Sequence, residues 1–121
     1  MEISTAVQSL GALAQETRLQ AFRLLVQQGP KGLAAGDIAR ALTIPHNTLS
    51  SHLAILVNAG LISSRRESRS IIYSVNFKGA RKLLGFLMQE CCQGDEKVCT
   101  PVLDTLFEGC CNTTKKPGVT L

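Results

Sequence analysis

The spacing of apolar residues near the start of the chain predicts two short helices. The first is indicated by three apolar residues that recur every three positions, Val7, Leu10 and Leu13. The second has four apolar positions on one helical face, Leu19, Phe22, Leu25 and Val26. Gly29 is placed to end the second helix, because glycine readily adopts the backbone conformation found just after a helix C-terminus.

Two further helices are predicted between residues 34 and 60. The third helix covers residues 34–42, and Asp37 in its first turn suits the positive end of the helix dipole. The fourth helix starts near Pro45, since proline is tolerated only in a first turn, and it ends at residues 58–60. Its buried side is an apolar stripe with helical spacing, Leu49, Leu53, Leu56 and Val57.

After residue 60 the pattern changes to short runs that are rich in β-branched residues. Residues 61–66 and 70–75 form two such runs, and the three residues between them predict an antiparallel hairpin. A strongly apolar helix is expected around residues 83–88, ending near Gly94, and a short helix at 101–107. The predicted fold is mainly α with a β-hairpin, in a domain of residues 1–93 followed by a C-terminal segment of residues 94–121.

Composition narrows the class of protein. A length of 121 residues, 45% of them hydrophobic, fits one domain with a real core. Five aromatic residues and no tryptophan argue against the base-stacking surfaces of some RNA-binding domains. No apolar run approaches the ~18–20 residues of a membrane span, and the N-terminus lacks the features of a secretory signal. We therefore expect a cytoplasmic protein with no membrane partner.

Charge and cysteine content divide the chain into two parts. The formal net charge is +4, but residues 17–82 hold ten cations and two anions, a net charge of +8. Residues 86–111 hold one cation and five anions, a net charge of −4, together with all five cysteines. This division indicates that the two parts have different partners.

The order of the predicted elements is that of a winged helix-turn-helix. In that fold the second helix of the motif enters the major groove of DNA and the hairpin reaches the backbone or the minor groove. With the leucine stripe turned inward, the opposite side of the fourth helix offers Asn47, Thr48, Ser51 and His52, with Ser50 at the border. The hairpin adds three guanidinium groups, Arg65, Arg66 and Arg69.

Each of these features alone can also be explained without DNA binding. Polar residues opposite a leucine stripe are typical of any solvated helix face, and an arginine-rich hairpin can simply protect a sheet edge from aggregation. The combination favours binding to double-stranded DNA, because helix, turn, helix and basic hairpin follow one another in the order that the winged fold requires.

Four motifs of this chain also occur together in one known family. They are Ala14…Arg18-Leu19…Leu24-Leu25, Asp37-Ile38-Ala39, Leu49-Ser50-Ser51-His52-Leu53…Leu56…Ala59-Gly60-Leu61, and the hairpin that ends in Tyr73. On these motifs residues 10 to about 90, some two thirds of the chain, resemble the arsenic-responsive, metal-sensing repressors of the ArsR/SmtB family. The resemblance implies a homodimer held by the first and last helices, with two recognition helices facing the half-sites of a near-palindromic operator.

The cysteines are the candidate sensor. They are Cys91, Cys92, Cys99, Cys110 and Cys111. Without a secretion signal they do not indicate a disulfide framework, and the absence of a Cys-x-x-Cys motif argues against a zinc ribbon or a thioredoxin-like site. Three thiolates suit trivalent arsenic or antimony, which bonds three sulfurs in a pyramid. We expect Cys91, Cys92 and Cys99 to be the ligands, with Cys110 and Cys111 as a second site, a relay or accessory thiols.

The chain departs from parts of the family in where its ligands lie. Some members bind metal through a Cys-x-Cys pair in a region that corresponds to residues 33–37, which here contain no cysteine. Zinc and nickel sensors of the family use His, Asp or Glu on the last helix, whereas His46 and His52 are the only histidines here and lie in the fourth helix. The pattern resembles arsenic-sensing members whose cysteines are C-terminal.

The sequence therefore predicts a repressor that binds its operator as an apo homodimer and is released by As(III) or Sb(III), with no organic cofactor. Alternatives are a repressor that senses oxidation or another soft metal, such as Cd or Pb, through the same cysteines, and cysteines that are ordinary reduced thiols. A thiol-dependent enzyme or metallochaperone is disfavoured, because both histidines lie about 40 residues away from the cysteines, on the side expected to face DNA.

Overall fold

The computed structural model describes residues 1–89, and within them the chain forms five α-helices and a small antiparallel sheet. The chain separates into two units, Met1–Leu87 and Met88–Leu121. The predicted boundary after residue 93, the helix expected at 101–107 and all five cysteines lie outside the described residues. The helices are α1 (Ile3–Leu13), α2 (Glu16–Gln28), α3 (Ala35–Leu42), α4 (His46–Asn58) and α5 (Phe77–Leu87).

The sheet has three strands, β1 (Leu33–Ala34), β2 (Ile62–Glu67) and β3 (Ser70–Val75), in the order β1-β3-β2. The predicted hairpin is confirmed, and its register pairs Ile62 with Val75 and Glu67 with Ser70. Glu67 is therefore the last residue of a strand rather than part of the loop. The turn contains only two residues, and Ser68 adopts the left-handed conformation with a φ of 56°. β1 was not predicted, because two residues are too few to show an alternating pattern.

The core forms around the leucine stripe of α4, as predicted. Leu49, Leu53 and Leu56 are buried completely or almost so, whereas Val57, the fourth predicted member, is half-buried against them. They share one hydrophobic cluster with Leu25 of α2 and Ile38 of α3. The period of the stripe thus fixes which side of α4 lies inward and which side lies outward.

The side of α1 that packs into the domain is not centred on the apolar positions from which the helix is predicted. The helix packs inward through small residues, Ala6, Ser9 and Ala12, whereas Val7 is 61% exposed and Leu10 is also exposed. Small side chains let α1 approach α4 closely, and the Ser9 hydroxyl donates a hydrogen bond to the Ala59 carbonyl at 3.3 Å. In α2 the buried residues are Ala21 and Leu25. The other apolar positions of that predicted face are partly buried at Phe22 and exposed at Leu19 and Val26.

A tight turn between α3 and α4 sets the angle of the helix-turn-helix motif. Thr43 ends α3 in the left-handed conformation, with a φ of 57°, which is uncommon for a β-branched residue. The Ile44 amide donates to the Ala39 carbonyl at 3.1 Å. Pro45 is the N-cap residue of α4, so it lies just before the helix rather than inside its first turn.

α5 begins before residues 83–88, the apolar cluster from which the helix is predicted. Asn76 caps it, because its Oδ1 accepts from the Gly79 amide at 3.1 Å, and the Asn76 amide donates to the Leu61 carbonyl at 2.9 Å. The helix ends at Leu87, before the predicted end near Gly94. Within the described part of the chain, no helix is long and apolar enough to cross a membrane.

We expect Gly79→Ala to destabilise the protein. A Cβ atom at this position would collide with the Gly60 carbonyl oxygen, which is a backbone atom that cannot move aside easily. Overpacking of this kind costs about 1–3 kcal/mol and outweighs the helix propensity that alanine adds. Gly85→Ala is the control, because it lies in the same helix with nothing within 4 Å, and it should be neutral or stabilising. Equal midpoints of urea unfolding for the two variants would contradict this packing.

Candidate nucleic-acid interface

The outward side of α4 is polar and accessible. Because the leucine stripe holds the other side in the core, the first two turns present exposed polar side chains. These are His46, Asn47, Thr48, Ser50 and Ser51. The predicted positions of Asn47, Thr48 and Ser51 on the exposed side are confirmed, and Ser50, predicted at the border, is also exposed. Short polar groups of this kind can reach base edges and phosphate oxygens.

Local hydrogen bonds orient two of these side chains. The Asn47 Oδ1 accepts from the Thr48 amide at 2.9 Å, so its Nδ2 group is turned to donate elsewhere. The Ser50 hydroxyl donates to the His46 carbonyl at 3.1 Å, one turn earlier in the helix, and its lone pairs can still accept a hydrogen bond. The side chains of Asn47 and Ser50 are therefore held close to the helix, and their rotation is restricted.

His52 differs from the expectation that it lies on the exposed side of α4. The residue is half-buried, between the exposed row of Thr48 and Ile55 and the buried row of the leucines. Its Nδ1 atom lies 3.2 Å from Nη1 of Arg18, a residue of α2. A contact between His52 and DNA stays a prediction, but one ring nitrogen already has a partner inside the protein.

The three arginines of the hairpin, which share one predicted role, have different surroundings. Arg65 is held against the body of the domain, since its Nη2 donates to the Lys31 carbonyl at 2.8 Å and its Nε to Glu67 at 2.7 Å. Arg66 and Arg69 are exposed. Neighbouring residues of a strand point to opposite faces, so Arg66 extends away from the contacts that Arg65 makes.

A cleft separates α4 from the hairpin. It has a volume of about 340 Å³, and α4 contributes His46 and Ser50 to one side. The hairpin contributes Arg69, Ser70 and Tyr73 to the other side. Small residues at the start of α3, Ala35 and Gly36, also line it and leave the space open.

The charge of this surface is positive because its acids are paired. Asp37 forms an ion pair with Arg40 one turn along α3, and Glu67 pairs with Arg65. Arg66 and Arg69 therefore carry the net charge at the end of the hairpin. Residues 1–89 contain no group of three or more His, Cys, Asp or Glu side chains that could hold a metal ion.

These features define a winged helix-turn-helix DNA-binding protein, in which α4 is the recognition helix and the β2–β3 hairpin is the wing. Residues 13–65 match the family model described as a helix-turn-helix domain. The transcriptional activator HlyU of Vibrio cholerae is 30% identical over 91 residues, which cover 75% of this chain and 82% of that protein. The nodulation protein NolR of Rhizobium meliloti is 33% identical, over 64% of this chain and 62% of its own.

Solved structures agree with this assignment. The homodimeric winged helix-turn-helix DNA-binding domain of a possible ArsR-family regulator from Mycobacterium bovis matches with a TM-score of 0.60 and 26% identity, over 85% of each chain. HlyU from Vibrio cholerae matches with a TM-score of 0.60 and 30% identity, over 76% of this chain and 99% of that one. The chain belongs to the ArsR/SmtB family of winged-helix transcriptional regulators.

Arg65→Gln should loosen the wing. The substitution removes the guanidinium that joins β2 to the Lys31 carbonyl, and a partly exposed hydrogen bond of this kind is worth about 0.5–1 kcal/mol. We expect amides of β2 and β3 near the turn to exchange faster with deuterated solvent. Arg66→Gln makes the same change one residue later and should leave exchange unaltered. Equal protection of the wing in both variants would show that Arg65 does not brace it.

Proposed function

We propose that the protein is a homodimeric transcriptional repressor that places α4 of each protomer in successive major grooves of a near-palindromic operator. The observation that carries the proposal is the outward polar side of α4 beside an arginine-bearing wing, with an open cleft between them. A major groove about 12 Å wide admits one helix, and half-sites on one face of the duplex lie about 34 Å apart.

The cleft suits the DNA backbone. A protein that inserts a helix in the major groove and a wing in the adjacent minor groove must straddle the phosphate ridge between the two grooves. In this chain the gap between those elements is lined by hydroxyl groups, by His46 and by Arg69. These groups donate hydrogen bonds to phosphate oxygens, so we assign the cleft to one strand of the operator backbone.

The dimer is supported by large apolar side chains that the monomer leaves uncovered. On α1 they are Ile3, Val7 and Leu10, and on α5 they are Phe77, Leu84 and Leu87. α1 and α5 contact each other, so one second copy can cover residues from both helices. The homodimeric state of the domain from Mycobacterium bovis supports this arrangement, and a two-fold axis is what a palindromic operator requires.

The cysteines beyond α5 are the proposed sensor. Cys91, Cys92 and Cys99 supply three thiolates soon after the helix ends, and such a set suits As(III) or Sb(III). Because these cysteines follow α5 in the sequence and α5 carries part of the proposed dimer surface, ligand binding to them can change the spacing of the two recognition helices. A coupling of ~1–3 kcal/mol would weaken operator binding about 5- to 150-fold.

A second candidate is a repressor that senses oxidation through the same cysteines. One solved structure that matches this chain, at 29% identity over 74% of this chain and 90% of that one, is described as reduced HlyU from Vibrio cholerae. The existence of a reduced form of that relative supports the proposal that oxidation state also matters in this chain. Oxidation of neighbouring thiols would alter the same region after α5 without any metalloid.

We expect Arg66→Gln and Arg69→Gln to weaken DNA binding and to lower its dependence on salt. Removal of one cation that binds a phosphate reduces the slope of log affinity against log salt by about 0.9. The probe is a duplex recovered by repeated selection from a random-sequence pool on the wild-type protein. Arg23→Gln removes the same charge from the exposed side of α2 and should leave the slope unchanged. A slope that falls equally in all three variants would mean that net charge, rather than the wing, binds DNA.

Replacement of Cys91, Cys92 and Cys99 by Ser should leave DNA binding intact and abolish release by arsenite. Cys110→Ser with Cys111→Ser is the matched control and should still respond. The measurement is fluorescence anisotropy of the labelled duplex, titrated with arsenite under reducing conditions and, separately, with peroxide. Release by arsenite that persists in the triple variant would refute the assigned ligands. Release by peroxide alone would favour the oxidation sensor.

A further inference from the structure

Arg18 connects three helices near the centre of the described domain. Its Nε donates to the Ala12 carbonyl at the end of α1, at 2.6 Å, and its Nη1 lies 3.2 Å from Nδ1 of His52 on α4. Its own backbone amide donates to Oε1 of Gln15, the N-cap of α2, at 2.9 Å. The side chain is half-buried, so these bonds are partly shielded from water.

A second polar contact joins α1 and α4. Ser9 of α1 is 2% exposed, and its hydroxyl donates to the carbonyl of Ala59, the residue that caps α4. α1 is thus bonded to the recognition helix at its end through Ser9 and near its middle through Arg18. Hydrogen bonds are directional, unlike apolar contacts, so these two contacts restrict how α4 can shift or rotate against α1.

The contact between Arg18 and His52 determines which ring nitrogen of His52 carries the hydrogen. A guanidinium can only donate hydrogen bonds, so Nδ1 of His52 must accept and the ring hydrogen must reside on Nε2. The planar fork of arginine can also hold two acceptors at a fixed angle, here the Ala12 carbonyl and the imidazole. A lysine has one nitrogen on a flexible stem and cannot reproduce that geometry.

We propose that Arg18 is a positioning residue for DNA recognition, which sets the orientation of α4 through His52 and does not itself contact the operator. The proposal rests on the proposed function, because it needs α4 to be the helix that contacts bases. It also connects α1, the helix with an uncovered apolar side, to the recognition helix. A change at the dimer surface that moves the Ala12 carbonyl would move the Arg18 guanidinium and, with it, the His52 imidazole.

The test is a double-mutant cycle of Arg18→Gln and His52→Ala, measured on the selected duplex and on a duplex of unrelated sequence. Each single variant should bind the selected duplex about 3- to 30-fold more weakly, and the double variant should bind no more weakly than either one. Binding to the unrelated duplex should not change, since it depends on phosphate contacts alone. Effects that multiply in the double variant would overturn the proposal.

Three further measurements separate positioning from direct contact and from a simple effect of charge. Arg18→Gln should keep the wild-type salt slope, whereas a fall of about 0.9 would make Arg18 a phosphate ligand and overturn the proposal. Arg18→Lys should weaken binding as Arg18→Gln does, and wild-type affinity in that variant would show that charge alone is needed. Arg23→Gln, the same change on the exposed side of α2, should bind normally.

The state of His52 can be measured without any substitution. At a pH where the ring is neutral, nitrogen-15 NMR of the wild-type protein should show Nδ1 without a hydrogen and Nε2 with one. A hydrogen on Nδ1 would overturn the proposal. This test holds even if Arg18→Gln fails to fold. If the wild-type protein selects no duplex and shows no Arg66-dependent salt slope, the proposed function fails. If it binds DNA as expected but the effects in the cycle multiply, the positioning role alone fails.

Discussion

Burial of the α4 leucine stripe is the constraint on which the rest of the structure depends. Leu49, Leu53 and Leu56 lie in the core, and burial of each leucine side chain contributes about 1.5–3 kcal/mol. Rotation of α4 about its axis would expose them, so the polar side of the helix is forced outward. The wing then follows directly from Leu61 and Ile62, which are buried in the same core and fix the start of β2 relative to α4.

α1 shows how so small a domain divides its contacts between itself and a partner. Its small residues pack inward and carry a buried hydroxyl, while its large residues, Ile3 and Val7 foremost, face outward. A monomer gains little from this arrangement, because the larger apolar area stays in water. In the proposed dimer both sides have a role: the outer side would join the two copies, and the inner side would transmit their spacing to α4 through directional bonds.

The sequence predicted the helices and strands better than it predicted the contacts that individual side chains make. The α3–turn–α4–hairpin order and the leucine stripe follow from local periodicity, and the structure confirms them. The spacing of Val7, Leu10 and Leu13 marks an apolar side of α1 but does not tell whether the same chain or a second copy covers it. The contacts of His52 with Arg18 and of Arg65 with Lys31 join residues 34 positions apart, and periodicity carries no such information. The cysteine ligands stay predictions.

The outward side of α4 and the wing are proposed to form one DNA-binding surface. Amide NMR shifts of the isotope-labelled full chain, titrated with the selected duplex, test it most directly. We expect the largest changes at residues 46–51 of α4 and at residues 66–70 of the wing, with little change on the exposed side of α2 around Arg23. Changes concentrated on α2, or on the cationic side of α5 at Lys78 and Arg81, would contradict it.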